Sequence, residues 1–186
     1  MTHLIYSVNI TLNGCCDHTQ VIADEEHHHY AMGLLSWADV LVLGRNTFEL
    51  FEGFWPDAAQ RTDLPHHIVQ FARALEDKKK YVVTRRPLDT QWNNTFVLSG
   101  SLGEQLSAWD ENSSSNILVW GSPRLGRSLL ELEQINEIHL LVQPVAAGGE
   151  PKLFDGLANS AKFSLEKVEA FKSGVVVICY KAIEHS

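Results

Sequence analysis

The sequence predicts an α/β fold: a mixed, mostly parallel sheet flanked by helices, ending in a C-terminal antiparallel hairpin. Three observations carry this. Short unbroken apolar runs, such as Val40-Leu41-Val42-Leu43 and Ile117-Leu118-Val119-Trp120, have the pattern of strands covered on both faces. Between such runs, apolar residues recur at helical spacing. The last two β-rich segments, in contrast, follow one another directly around Lys172-Ser173-Gly174, a turn sequence.

The elements follow in order. Residues 4–12 are β-branched and apolar and stop at Asn13-Gly14, a strong turn signal, so they form the first strand. Residues 14–23 lack periodicity, and a loop of that length next to a core strand is either a functional segment or a plain surface excursion. Asp24 is placed to cap a helix whose first turn holds Glu25 and Glu26 and whose apolar stripe is Ala31, Leu34, Leu35 and Ala38. Extended backwards, that stripe brings Asp24, His27 and His28 onto or beside one face, while His29 points elsewhere. Residues 40–43 are the second strand, followed by the aromatic group Phe48, Phe51, Phe54 and Trp55. Asp63-Leu64-Pro65 opens the next helix, with Ile68, Phe71, Ala72 and Leu75 buried. Residues 81–84 and 95–98 are strands three and four.

Ser101 and Glu104 form a capping box for a helix with Leu102, Leu106 and Trp109 on its apolar side, and residues 110–116 make a polar loop. The fifth strand, residues 117–120, runs into Gly121-Ser122-Pro123, where Ser122 caps a helix that buries Leu125, Leu129 and Leu132. A sixth strand spans 138–142, and a Gly-rich loop spans 144–151. Residues 163–170 and 175–181 are the hairpin. With 186 residues, 45% of them hydrophobic, and no internal repeat, one domain over residues 1–186 is expected.

Composition excludes several classes. Against 15 Lys and Arg stand 23 Asp and Glu, a net charge of −8 that argues against a nucleic-acid surface. Three cysteines, two of them adjacent, make a poor disulfide framework, and no window is apolar enough to span a membrane. A cytoplasmic protein is expected.

In a parallel sheet, ligands gather at the carboxyl ends of the strands. Three strands here end in candidate ligand groups: Gly44-Arg45-Asn46-Thr47, Thr84-Arg85-Arg86 and Gly121-Ser122. A glycine at a strand end lets a ligand approach the backbone, and a helix N-terminus offers free N–H groups to a pyrophosphate. Arginine supplies a planar fork of donors for a further phosphate. Neither Gly-x-Gly-x-x-Gly nor the P-loop pattern is present, so a standard Rossmann or P-loop site is excluded. Glu25-Glu26-His27-His28-His29 does not converge on one ion, because adjacent helical residues diverge by about 100°, and no metal site is expected. Nor is nucleophilic catalysis expected at Cys15 or Cys16, which have no histidine base beside them in sequence.

Taken together, the opening Ile5 through Gly14, Leu43-Gly44-Arg45-Asn46-Thr47-Phe48-Glu49, Thr84-Arg85, Leu118-Val119-Trp120-Gly121-Ser122, residues 144–154 and Phe171-Lys172-Ser173-Gly174-Val175-Val176 resemble the dihydrofolate-reductase-like family. That family includes the reductase domain of bacterial riboflavin biosynthesis and many small bacterial reductases. The resemblance spans nearly the whole chain and implies NADPH as cofactor. It places Gly44, Arg45 and Thr47 near cofactor phosphates, and Thr84 and Arg85 at the adenosine 2′-phosphate. Gly121, Ser122, Arg124 and Leu125 would surround the pyrophosphate, and residues 12–16 would cover the nicotinamide. Two departures stand out: Asn13-Gly14 where members commonly carry Asp-Gly, and Trp120-Gly121 where they carry Gly-Gly.

The expected function is therefore hydride transfer from NADPH to a small heterocycle, pterin-like or a pyrimidine, in a homodimer. Asp24 and His28 are the candidate groups for proton donation. The alternative is a non-catalytic nucleotide-binding protein of the same fold, in which the absence of a carboxylate at Asn13 marks lost turnover.

Overall fold

A computed structural model describes residues 2–98, 100–101, 103–104 and 115–183. The helix expected beyond Ser101 lies mostly outside the described residues. The strands are β1 (His3–Thr11), β2 (Val40–Gly44), β3 (Lys79–Val83), β4 (Thr95–Leu98), β5 (Asn116–Trp120), β6 (Glu137–Gln143), β7 (Phe163–Ala170) and β8 (Val176–Ala182). They form one eight-stranded sheet in the order β4-β3-β2-β5-β1-β6-β8-β7. The pairings from β4 through β6 are parallel, and β8 pairs antiparallel with both β6 and β7.

The helices are α1 (Glu25–Trp37), α2 (Arg45–Glu52), α3 (Trp55–Ala58), α4 (His66–Asp77) and α5 (Pro123–Glu131). Alternation along the central strands sorts side chains onto two faces. On one, Ile5, Leu41, Leu43, Leu118 and Trp120 pack with Leu34 and Leu35 of α1, Phe48 of α2 and Phe71 and Leu75 of α4. On the other, Tyr6, Val42, Ile117 and Val119 pack with Leu125, Leu129 and Leu130 of α5. Each fully buried leucine contributes about 2–3 kcal/mol of transfer free energy.

Two helix boundaries differ from the sequence reading. The helix expected at Asp63 starts at His66, because Pro65 holds ψ 144° and Asp63 pairs with Arg61 instead of capping. Leu132, expected in the core, is 45% exposed: α5 stops at Glu131, and Leu130 takes the buried position.

This topology creates the site. The β1–α1–β2 connection crosses one face of the sheet, whereas β5–α5–β6 crosses the other. Since β1 and β5 are neighbours, their chains part in opposite directions at their carboxyl ends and leave a crevice there. The ends of β2 and β3 stand on the same edge.

Candidate functional site

At the end of β2 the chain turns directly into α2, so Arg45, Asn46 and Thr47 are its first turn. Gly44 has no side chain with which to cap that helix. The cap comes from Ser122, whose Oγ accepts the Gly44 N–H at 2.8 Å and donates to Thr47 Oγ1 at 2.7 Å. Ser122 sits at φ 54°, ψ 68°, directly after Gly121 at φ 56°. A non-glycine residue pays about 1–2 kcal/mol for that left-handed backbone, and the two hydroxyl bonds hold it there. A Cβ on Gly44 would lie 2.7 Å from Ser122 Oγ, and one on Gly121 would lie 3.2 Å from Thr47 Cγ2. The two turns therefore touch along bare backbone.

Ser122 precedes α5, whose first N–H groups lack intrahelical acceptors. The Gly126 N–H is satisfied by Ser122 O, and the opening turn around Arg124 and Leu125 is the end whose N–H groups can receive an anion. The Arg124 side chain is exposed there, while the Leu125 side chain is in the core and can offer only backbone.

Arg45 joins the third turn. Its Nη1 donates to Pro87 O at 2.9 Å and reaches Thr84 Oγ1 and Arg86 O at 3.4 Å, while Nε pairs with Glu49 at 2.6 Å. The guanidinium is thus occupied in pinning the 84–87 segment to α2. Arg85 is exposed and, with Thr84, Arg86, Pro87, Val97 and Gly100, lines a groove of ≈ 540 Å³. All three strand-end turns converge, through Gly44–Ser122–Thr47 on one side and Arg45–Thr84 on the other.

The 12–16 loop is anchored to residues 145–153. Leu12 N–H donates to Val145 O, Cys16 N–H to Pro151 O and Leu153 N–H to Gly14 O. Asn13 and Ala147 exchange two bonds: Asn13 Nδ2 donates to Ala147 O at 2.7 Å, and Ala147 N–H donates to Asn13 Oδ1 at 3.2 Å. The amide at position 13 is a loop clamp that a carboxylate could not reproduce. Trp120 is 7% exposed and packs edge-on against Phe51 and Phe71, in the core beneath the crevice rather than across it. Burial pushes the Cys16 thiol up to about 12, which removes it as a nucleophile.

Asp24 caps α1 by accepting the His27 N–H at 2.8 Å. Burial pushes its carboxyl up, but hydrogen bonding, chiefly from the His27 N–H, outweighs this, and the net shift is downward. His28 is buried among Trp55, His67 and Phe71, and its Nδ1 lies 2.7 Å from Asp24 O, so Nδ1 carries the proton. Burial pulls its pKa down. Among the described residues, neither side chain bonds to the three converging turns; one is a cap and the other a neutral packing histidine.

A cluster that sequence reading passed over lies beside them. Asn9 Oδ1 accepts from Gln143 Nε2 at 2.9 Å and contacts His27 Nε2 at 3.1 Å, while Gln143 Oε1 accepts the Ile22 N–H at 2.9 Å. The available signal was polarity at inward strand positions, but β1 and β6 also bury Ser7, Thr11 and His139, so it did not single out Asn9 and Gln143.

A mixed sheet with α/β crossovers and a crevice bounded by phosphate-type turns defines a dihydrofolate-reductase-like protein. The chain belongs to the RibD C-terminal domain family, which it matches over residues 2–177. Among solved structures, a putative riboflavin biosynthesis protein from Shewanella sp. PV-4 superposes with a TM-score of 0.74 at 18% identity, covering 98% of this chain and 100% of that one. A pyrimidine reductase-like protein from Corynebacterium diphtheriae gives 0.72 at 18% identity, over 99% and 93% of the two chains. RibD of Acinetobacter baumannii gives 0.69 at 13% identity, with 98% of this chain matching 58% of the longer protein. In sequence, the uncharacterized protein YyaP of Bacillus subtilis is 24% identical over 146 residues, 78% of this chain and 75% of the relative. Among the described residues no helix is long and apolar enough to cross a membrane, and no group of three or more His, Cys, Asp or Glu could hold a metal ion.

Proposed function

We propose that this chain is an NADPH-dependent reductase acting on a small electron-poor heterocycle. The observation that carries the reading is the convergence of the three strand-end turns, with Ser122 bridging Gly44 and Thr47 while Arg45 holds Thr84. The residues fit the cofactor chemically. Bare backbone at Gly44 and Gly121, together with the opening of α5, suits a pyrophosphate, and Thr84 with Arg85 suits a ribose phosphate. A bound nicotinamide would supply the hydride.

This chain's own residues bind, orient and exclude water. The left-handed Ser122 keeps the α5 N-terminus turned toward the crevice, Arg45 holds the phosphate-side loop in place, and the Asn13 clamp fixes the cover over the reacting end. Asp24 and His28 remain the candidate proton donors. Their present partners keep Asp24 ionised and His28 neutral, so delivery of a proton by either requires substrate to change its surroundings. A family member whose solved structure is known, the Thermotoga maritima deaminase/5-amino-6-(5-phosphoribosylamino)uracil reductase, supports a pyrimidine as the first compound to try.

The test has two readouts. NADPH binding is followed by quenching of tryptophan fluorescence, and turnover by loss of nicotinamide absorbance with pterins, pyrimidine ribosyl compounds and small carbonyls. Absence of binding by both NADPH and NADH overturns the proposal. Binding without oxidation across the panel favours the non-catalytic alternative.

A further inference from the structure

The Asn9 cluster carries an unused hydrogen-bonding position whose polarity can be worked out atom by atom. The Ile22 backbone N–H can only donate, and it points at Gln143, so the Gln143 atom facing it is the oxygen. Gln143 Nε2 is then a donor, and the Asn9 atom it meets at 2.9 Å must be Oδ1. His27 Nε2, 3.1 Å from that same oxygen, must in turn carry a proton. Gln143 is 1% exposed, so water cannot readily substitute along this chain of bonds.

One consequence falls on the other ring nitrogen. A neutral His27 protonated on Nε2 has a bare lone pair on Nδ1, and that atom is buried without a partner. Burial, with His28 close by, keeps the ring neutral by pulling its pKa down to about 4 against the opposing pull of Asp24. A second unpartnered buried atom lies on β1. Ser7 is fully buried, its Oγ is without a partner, and it stands two residues before Asn9 on the same face of β1. Ser7 is also the residue whose carbonyl accepts the Gly121 N–H, which ties it to the phosphate-side turn. The last β1 residue paired with β5 is Ser7, opposite Trp120, so Asn9 and the His27 ring that meets it stand where β1 parts from β5, and a buried acceptor without a partner there calls for a ligand.

We propose that His27 is the specificity-determining acceptor of the substrate side: a neutral imidazole, protonated on Nε2, whose Nδ1 receives an N–H donor from an uncharged heterocycle. The inference rests on the crevice assignment made above and deepens it. An N-alkylated or anionic ligand edge would leave Nδ1 unsatisfied or repelled. Because the lone pair is fixed by a chain that begins at a backbone N–H, the site cannot reverse its polarity by an amide flip.

The test uses the intact chain labelled with ¹⁵N, with His27→Gln to assign the imidazole resonances. At neutral pH the expected spectrum shows protonated Nε2 and bare Nδ1 for His27. A protonated Nδ1, or an imidazolium, overturns the proposal. Uracil and 1,3-dimethyluracil are then titrated, since they share a ring but only uracil has N–H donors. Uracil should move the His27 Nδ1 resonance upfield and dimethyluracil should leave it in place. An equal response, no response to uracil, or an Nδ1 already hydrogen-bonded to a permanent water and indifferent to both probes overturns it. Asn9→Asp is expected to preserve the fold and raise the pKa of His27 by placing a carboxylate on Nε2–H; an unchanged His27 titration in that variant refutes the bond on which the polarity rests. NADPH binding is measured separately by fluorescence. Failure there with a normal His27 response to uracil removes the cofactor reading and leaves this one standing.

Discussion

Gly44→Ala tests the contact on which the convergence of turns depends. Gly44 has φ −75° and ψ 157°, a backbone that alanine adopts freely, so the cost is one of contact alone. The new Cβ would sit 2.7 Å from Ser122 Oγ and 2.9 Å from Ser122 Cβ, and Ser122 cannot yield because its hydroxyl is bonded on two sides. Overpacking costs about 1–3 kcal/mol and the broken Gly44–Ser122 bond about 1 more. The entropy removed from the unfolded chain returns roughly 0.5–1 kcal/mol, for a net loss of about 2–3. Ser122→Gly loses two hydroxyl bonds, worth about 2 kcal/mol, and recovers about 1 from relief of the left-handed strain. In the double variant the nearest remaining contact of the new Cβ is Leu125 Cβ at 4.0 Å, an ordinary van der Waals distance. The double loss should therefore be at most about 0.5 kcal/mol, well short of the sum, with a coupling near about −3 kcal/mol. Urea unfolding followed by tryptophan fluorescence measures all three. NADPH affinity should stay low in the double variant, since the methyl still occupies the cradle. Additivity within about 0.5 kcal/mol would refute the contact, and restored NADPH binding would refute the cradle.

The remaining predictions concern other parts of the site and its support. Arg85→Ala should lower NADPH affinity roughly tenfold while sparing NADH, whereas Arg45→Ala should loosen the 84–87 segment and weaken both, as read by titration with hydrogen exchange. Asn13→Asp should free the 145–151 segment to proteolysis and give no gain in turnover; increased turnover would restore the missing carboxylate as the limiting feature. His27 folds with a pKa of about 4 against an ordinary 6.5, so between those values the unfolded chain holds more protons and stability rises with pH. Acidification from pH 6.5 to 4 should cost up to roughly 3 kcal/mol from this residue, and His27→Gln should flatten the urea midpoint over that window. Lys80 is fully buried, with Nζ donating to Leu75 O at 2.7 Å and Lys78 O at 2.9 Å and lying 4.6 Å from the Trp92 ring centre, so Lys80→Met should cost about 2–3 kcal/mol in urea unfolding.

Much of the fold was legible because burial on two faces writes itself into strands as unbroken apolar runs. Val40-Leu41-Val42-Leu43 and Ile117-Leu118-Val119-Trp120 stand where that pattern put them, side by side in the sheet. The convergence of their ends could be expected from parallel topology, but its agent could not. Ser122 reads as a cap for α5, and only the backbone turn at Gly121 and Ser122 sends its hydroxyl across to α2. Arg45 was legible as a cation but not as a clamp, because its acceptors are carbonyls at residues 86 and 87, which any sequence supplies. Leu132 failed for a local reason: helical periodicity continues on paper past the residue where α5 stops. The Asn9 cluster was missed because it joins residues 9, 22, 27 and 143, and no local spacing relates them.

The two sides of the crevice ask for different chemistry, and the sheet topology accounts for the division. Strands β2, β3 and β5 end in glycine, threonine and arginine turns followed by backbone N–H groups, an arrangement built from donors. Strand β1, on the far side of the parting, contributes Asn9 and with it His27, an arrangement that leaves a bare acceptor. With a net charge of −8, the polyphosphate of the proposed cofactor would be held only where donors are concentrated, at the exposed backbone and Arg85. On the proposed reading the substrate side has no such need, because an uncharged heterocycle would be held by desolvated hydrogen bonds, which discriminate strongly when a donor is missing. Exchange of polarity between the sides is therefore the sharpest perturbation: a carboxylate at Ser122 should abolish nucleotide binding while leaving the response of His27 to uracil intact. Loss of both together would mean that the two halves do not form separate sites.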